Sequence, residues 1–161
     1  MKTLFLTRKG SPVLMAIFAS FLMLFSACSK DNNNNNPQTY TTSGNASGSQ
    51  QNPPVTTTGS ASLVGNYNVN SNDWQYSVNW TSLSSAATVI EFHGPADVGV
   101  SGALLFSLTI TAGGTNGAAS ATVNLTEQQE AWLLAGKIYY TIVNAAYITG
   151  EVRGQVYATA Q

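Results

Sequence analysis

The chain of 161 residues is short of charge and of the side chains that most often carry chemistry. Charged residues make up 8% of it, and it has one cysteine, Cys28, and one histidine, His93. A single cysteine excludes an intrachain disulfide, so stability must come from packing. A single imidazole argues against a tight transition-metal centre, and no Gly-x-Ser-x-Gly elbow accompanies it. We therefore expect no enzymatic activity, no catalytic residue and no cofactor.

Basic residues are scarce in the part of the chain that follows the first 27 residues. Lys30, Lys137 and Arg153 are its three basic side chains, against seven acidic ones. Such a surface offers no basic footprint for phosphate groups, so we expect no nucleic-acid partner. No basic amphipathic helix is present for lipid headgroups either.

The start of the chain has the pattern of a secretory signal. Lys2, Arg8 and Lys9 give it positive charge, residues 13–25 are almost all apolar, and small residues precede Cys28. The apolar run is short for a membrane span, which favours cleavage before Cys28 and acylation of its thiol. An ordinary signal peptide or an uncleaved anchor with an incidental cysteine are the alternatives.

The sequence therefore predicts three parts. Residues 1–27 are a lipoprotein signal peptide, residues 28–38 an acylated cysteine with a flexible linker containing five consecutive asparagines, and residues 39–161 one domain. The acyl chains would bind the domain to the membrane. Ser29, next to the cysteine, resembles the residue found in bacterial lipoproteins that are sent to the outer membrane, which implies that location in the cell envelope, with the surface and the periplasmic face both left open.

Beyond residue 39, short alternations of apolar and polar residues are broken by Gly, Asn and Ser, which indicates many β-strands. Trp74, Tyr76, Val78 and Trp80, for example, alternate with polar residues and should share one buried face. We expect an all-β fold, an antiparallel Greek-key-like β-sandwich of about eight strands. The candidate strands are 40–46, 60–68, 74–83, 87–93, 104–111, 118–125, 137–143 and 150–158.

One short helix interrupts this pattern. Thr126 can cap its start with Gln129 at the capping-box position, and Gly136 can end it. The glycine-rich segment 113–117 lies between two candidate strands and predicts a hairpin turn.

Three segments, in order and spacing, resemble the CHRD (chordin-type) domain family. They are residues 48–59, residues 83–96 with their ending Glu91-Phe92-His93-Gly94-Pro95-Ala96, and the closing residues 134–155 with Gly150-Glu151-Val152-Arg153-Gly154-Gln155. The resemblance covers about residues 40–159 and implies an all-β sandwich outside the cytoplasm. Glu91 replaces the first histidine of the family's His-x-His-Gly-Pro-Ala, and Val143 stands where members usually carry another. The family implies little about activity.

Five polar residues are candidates for a binding or structural cluster: Glu91, His93, Asp97, Glu151 and Arg153. Alternation places Glu91 and His93 on one strand face, and Glu151 and Arg153 on one face of the closing strand, where the latter two can form an ion pair. If the two strands are neighbours, the polar groups meet. The plainer interpretation is a histidine bonded to the Gly94-Pro95 turn and a structural ion pair.

These observations favour a non-enzymatic binding or structural module at the cell envelope, with a protein or glycan partner. The alternative is a metal-binding protein or enzyme that uses the polar cluster, with a weak oxygen-ligated calcium site left open. Trp74, Tyr76 and Trp80 could form a carbohydrate platform, but their regular alternation suits the core better.

Overall fold

The structure, a computed structural model, describes residues 38–161. The predictions of a signal peptide, of acylation at Cys28 and of an asparagine-rich linker fall on residues outside this range. Within it, antiparallel strands dominate, with one short α-helix and a 3-10 turn at Gly48–Gln50. The all-β, antiparallel fold class is confirmed.

The strands and the helix follow one another along most of the described chain. They are β1 (Thr39–Ser47), β2 (Ser60–Asn68), β3 (Asp73–Thr81), β4 (Ala87–Gly94), β5 (Ala103–Thr109), β6 (Gly117–Asn124), α1 (Glu127–Leu134), β7 (Tyr139–Asn144), β8 (Val152–Gln155) and β9 (Tyr157–Ala160).

All strands belong to one sheet with the order β5-β4-β7-β8-β1-β2-β3-β6, and β9 also pairs with β1. The sheet curls until it is nearly closed, with β5 and β6 at the two ends of this order. The predicted single strand 150–158 is split at Val156. Its two parts nevertheless keep one register on β1, since Arg153 lies opposite Ser47 and Tyr157 opposite Ser43.

The prediction of a hairpin across residues 113–117 is wrong, because β5 and β6 are not neighbours. The segment instead connects the two ends of the sheet order, and the Trp80 indole donates a hydrogen bond to the Gly114 carbonyl (3.0 Å). A Cβ at Gly113 would lie 2.0 Å from the carbonyl oxygen of Ala87. Glycine is needed here for close approach to another strand rather than for a tight turn.

The interior of the curled sheet is the hydrophobic core. Trp74, Tyr76, Val78 and Trp80 are all buried in it, as their alternation predicts. Phe92 contacts Trp74 edge-on at 5.4 Å between ring centroids. The rings thus join β3 to β4 across the interior, in the offset geometry that aromatic pairs prefer.

The helix forms as its sequence predicts. The Thr126 side chain accepts a hydrogen bond from the Gln129 amide, and the Gln129 side chain bonds back to Thr126, which completes a capping box. Gly136 follows the helix with φ +66°, a left-handed conformation that favours glycine. Leu133 is fully buried, which anchors the helix on the core.

Candidate functional site

The outer face of β4, β7 and β8 carries two rows of polar side chains. Alternation turns the apolar residues of these strands inward, so their neighbours in sequence face outward. One row runs Glu91, Thr141, Arg153 across the three strands. The other runs His93, Tyr139 and, on β8, Gln155. The condition that β4 and the closing strand are direct neighbours is not met, because β7 lies between them.

Tyr139 nevertheless connects the two flanking strands. The Arg153 guanidinium carbon lies 3.5 Å from the centroid of the Tyr139 ring, a cation–π contact. The His93 ring stacks on Tyr139 from β4, with 5.1 Å between centroids and 7° between planes. The structure therefore brings His93 and Arg153 together through an aromatic ring that sequence reasoning missed. The period of two along β7 was the signal that could have found it.

His93 lies between two acceptors. Its Nδ1 is 3.2 Å from the Gly102 carbonyl oxygen, and its Nε2 is 3.2 Å from Oε2 of Glu91. Only a ring protonated on both nitrogens donates to both groups. Glu91 and His93 are thus in contact, and the partner of the histidine is Gly102 rather than the Gly94-Pro95 turn.

These polar side chains hold the loop of residues 95–102. Arg153 Nη2 donates to the carbonyl of Val100 at 2.7 Å and more weakly to that of Asp97 at 3.4 Å. Gln155 Nε2 donates to the Ala96 carbonyl at 3.0 Å. Two side chains of β8 therefore bond three of the loop's carbonyl groups, which fixes its path over the sheet.

More contacts reach the same loop. Asn52 Nδ2 donates to the Gly99 carbonyl (2.9 Å), and the Gly102 amide donates to the Tyr139 hydroxyl (3.2 Å). The Asp97 side chain pairs with Lys137 at the surface. Asp97 thus belongs to the loop that the cluster holds, but its carboxylate does not face Glu91 or His93.

A cleft of about 410 Å³ lies beside this loop. Its floor is the outer face described above, and the segments around residues 51, 101 and 148 form its walls. The lining residues are Gln51, Asn52, Glu91, His93, Ser101, Gly102, Tyr139, Thr141, Ile148, Thr149 and Arg153.

Glu151 lies apart from this cleft, and the expected ion pair between Glu151 and Arg153 does not form. The Glu151 carboxylate is fully buried and accepts hydrogen bonds from Thr57, Ser84 and Asn144. The Ser84 amide donates to both of its oxygens, at 2.9 and 3.0 Å. These donors come from two loops and the end of β7, positions that no sequence pattern connects.

The two buried charges respond differently to their surroundings. Burial raises the pKa of Glu151, but the hydrogen bonds from Thr57, Ser84 and Asn144 outweigh it, so that pKa lies below its ordinary value of 4.5. Burial lowers the pKa of Arg153 below its ordinary value, against the opposing effect of Tyr139. A guanidinium still carries its charge at neutral pH.

Residues 38–161 contain no cluster of side chains suited to binding a metal ion. No three side chains of His, Cys, Asp or Glu gather there in a way that could hold an ion. In the same range no helix has the length and apolarity to cross a membrane.

The fold and the cleft define an all-β domain in which hydrogen bonds from the outer face of the sheet hold one loop in place. Residues 42–156 match the family model of the CHRD domain, which covers most of the chain. The chain therefore belongs to the CHRD domain family, which confirms the resemblance of its sequence motifs. No curated protein and no solved structure gives a significant match.

Proposed function

We propose that this protein is a non-enzymatic binding module of the cell envelope, anchored through acyl chains on Cys28, and that loop 95–102 contacts a protein partner. The observation that carries this proposal is the exposure of apolar side chains on a loop that is fixed in place. Val98 and Val100 are 64% and 53% exposed, although their loop is bonded to β4, β7 and β8. Exposed apolar groups on a fixed loop favour association with another surface.

The exposed apolar residues are concentrated near the cleft. Six large hydrophobic residues are exposed in the described part of the chain, and four of them lie on segments that border the cleft or the strand beside it. These four are Val98, Val100, Leu104 and Ile148. Exposed aliphatic side chains grouped on one side of the domain are consistent with a contact surface for another protein.

A protein partner is favoured over a glycan. Trp74, Tyr76 and Trp80 are buried in the core and offer no face to a sugar ring. Tyr139 lies in the cleft, but Arg153 and His93 cover its ring from the two flanking strands. The exposed groups of the site are aliphatic, as at protein contacts, rather than aromatic.

The alternative of a metalloprotein or enzyme gains no support from the site. His93 and Arg153 are bonded to loop carbonyls, and the residues of the proposed cluster are divided between two places. Among the described residues, no hydroxyl group that lines the cleft is hydrogen-bonded to His93 or Glu91.

Replacing Cys28 tests the lipid anchor. We expect Cys28→Ser to abolish incorporation of labelled fatty acid and to shift the protein from the membrane fraction to the soluble fraction. Labelling that persists in the variant would contradict the anchor. Protease treatment of intact cells, against a known periplasmic control, would then decide between the surface and the periplasmic face.

Site-specific photocrosslinking in intact cells tests the binding surface. We expect a photoreactive residue at Val98 to give a discrete protein adduct. The matched control is Val64, which is 56% exposed on β2 and does not border the cleft. No adduct from position 98, or the same adduct from both positions, would overturn the assignment of this surface.

A further inference from the structure

Arg153 is a buried cation without an acidic partner. Its side chain is 2% exposed, and no carboxylate lies within ion-pair distance of it in residues 38–161. Glu151 is bonded to Thr57, Ser84 and Asn144, Asp97 to Lys137, and Glu91 to His93. Burial of a charge is costly unless it is paired or well hydrogen-bonded, so an unpaired arginine in a cleft suggests a ligand.

The guanidinium of Arg153 retains donors for such a ligand. Only Nη2 donates to the protein, namely to the carbonyls of Val100 and Asp97. Nε and Nη1 of Arg153 have no hydrogen-bond acceptor among residues 38–161. Neither nitrogen is a fully buried atom without a partner, as Oε1 of Gln155 is. Each of these nitrogens therefore keeps a small area open to solvent, and Arg153 lines the cleft.

The wall of the cleft offers hydrogen-bond acceptors. The amide nitrogen of Gln51 donates to Thr141 Oγ1 at 2.7 Å, and that of Asn52 donates to the Gly99 carbonyl. The amide oxygens of both residues accept no hydrogen bond from residues 38–161. Across the cleft, Ile148 is 81% exposed and provides an apolar contact.

We propose that the cleft binds a carboxylate carried by a peptide segment, with the carboxylate on Arg153. The amide oxygens of Gln51 and Asn52 accept hydrogen bonds from the segment's N–H groups, and its side chains contact Ile148. This inference rests on the proposed function, since it specifies the chemistry of the partner at the same surface.

The charge around the cleft favours one carboxylate over a phosphate dianion. Glu91 lies two strands from Arg153, which corresponds to roughly 10 Å between their main chains at the usual strand spacing. The described residues contain six acidic side chains and two basic ones, Lys137 and Arg153. This field disfavours a doubly charged anion more than a singly charged one.

The experiment is a titration of the full chain, in detergent micelles, with two tripeptides followed by NMR. The probes are acetyl-Gly-Ala-Ala with a free carboxylate and the same peptide with a C-terminal amide. We expect the acid to shift the Nε–H signal of Arg153 and the amide signals of Ser101, Gly102 and Thr149 saturably. The signal of Arg153 is identified with Arg153→Lys, since Arg8 is the other arginine.

Variants at the exposed residue Ile148 test whether the bound group is negatively charged, and they leave Arg153 itself unchanged. Ile148→Lys should tighten binding of the acid about threefold or more, and Ile148→Asp should weaken it by a similar factor. Val64→Lys and Val64→Asp are the matched controls, at an exposed residue outside the cleft, and should leave the affinity unchanged. Both pairs keep the buried contacts of the fold.

Three outcomes would overturn the inference: equal shifts with the amidated peptide, shifts that spare Arg153, or tighter binding of inorganic phosphate than of the acid. Its failure is distinguishable from that of the proposed function. A crosslink at Val98 together with no carboxylate effect would remove the inference and keep the binding surface. Carboxylate binding without a crosslink at Val98 would keep the inference about the cleft and remove the proposed protein-binding surface.

Discussion

Arg153 lies on β8 and Glu151 directly precedes that strand; both are buried, and each organises a different region of the molecule. Around Glu151, donors from two loops and from β7 surround the carboxylate, so both of its oxygens are bonded. Around Arg153, the contacts are one aromatic face and two loop carbonyls, and part of the guanidinium opens on a cleft. A buried charge whose hydrogen-bonding groups all have partners within the protein is typical of a structural role. A buried charge that keeps donors without partners is typical of a binding role.

Neutral dipoles, rather than opposite charges, stabilise both ions. Hydroxyl, amide and backbone N–H groups donate to the carboxylate, and carbonyl oxygens accept from the guanidinium. Such charge-assisted hydrogen bonds are stronger than those between neutral groups. This arrangement lets each charge join segments that are far apart in sequence, which an ion pair within one strand would not do.

The largest effect is expected for Glu151→Ala. The substitution leaves the Ser84 amide and the Asn144 side chain without their buried acceptor, so we expect a loss of about 3 to 5 kcal/mol in the free energy of unfolding. Urea unfolding followed by tryptophan fluorescence measures it. Glu127→Ala, at an exposed carboxylate in the first turn of α1, is the control and should cost less than about 1 kcal/mol. Equal losses in the two variants would contradict the structural role of Glu151.

Arg153→Leu should have a smaller and more local effect. The variant loses the hydrogen bonds to Val100 and Asp97 but also removes a buried charge, so we expect a loss of about 2 kcal/mol. Hydrogen exchange should quicken at the amide of Val100, which donates within the loop, and stay unchanged at Ser84. In Glu151→Gln, exchange should quicken at the Ser84 amide and stay unchanged at the Val100 amide. Parallel changes at both amides would mean that the two regions open as one unit.

The strand pattern explains why the fold was predictable while the site was only partly so. Alternation along β3 and the cap of α1 are local signals, and both gave the correct elements. Glu91 and His93 were placed on one face by the same rule. The period also puts Glu151 and Arg153 on one face, but it does not say which loops cover that face.

The remaining differences arise from contacts between distant segments. The order of the strands places β7 between β4 and β8, which no local pattern specifies, and this makes Tyr139 the connection between His93 and Arg153. Thr57 and Ser84 lie in loops, and their contact with the buried Glu151 carboxylate is one that no local pattern indicates. Gly113 is read locally as a turn residue, yet its role is close approach to Ala87.

Acid should weaken the Glu151 region selectively. Because its pKa is lowered in the folded state, the carboxylate contributes stability above about pH 4.5, and this contribution is lost as the pH falls through the folded value. Glu151→Gln has no such titration. We therefore expect the difference in urea midpoint between the native protein and this variant to be constant near neutral pH and to shrink below about pH 4.5. A difference that widened on acidification would contradict the lowered pKa.

The smallest effect is expected for Lys137→Ala, which removes the ion pair with Asp97. The Lys137 and Asp97 side chains are 39% and 72% exposed, so water and salt screen their attraction. The loop keeps its hydrogen bond from the Ala96 amide to the backbone carbonyl of residue 137 and its contacts with Arg153. We expect a loss below about 0.5 kcal/mol in urea unfolding and no change in exchange at Val100. A loss as large as that of Arg153→Leu would show that the surface pair, rather than the buried cation, holds the loop.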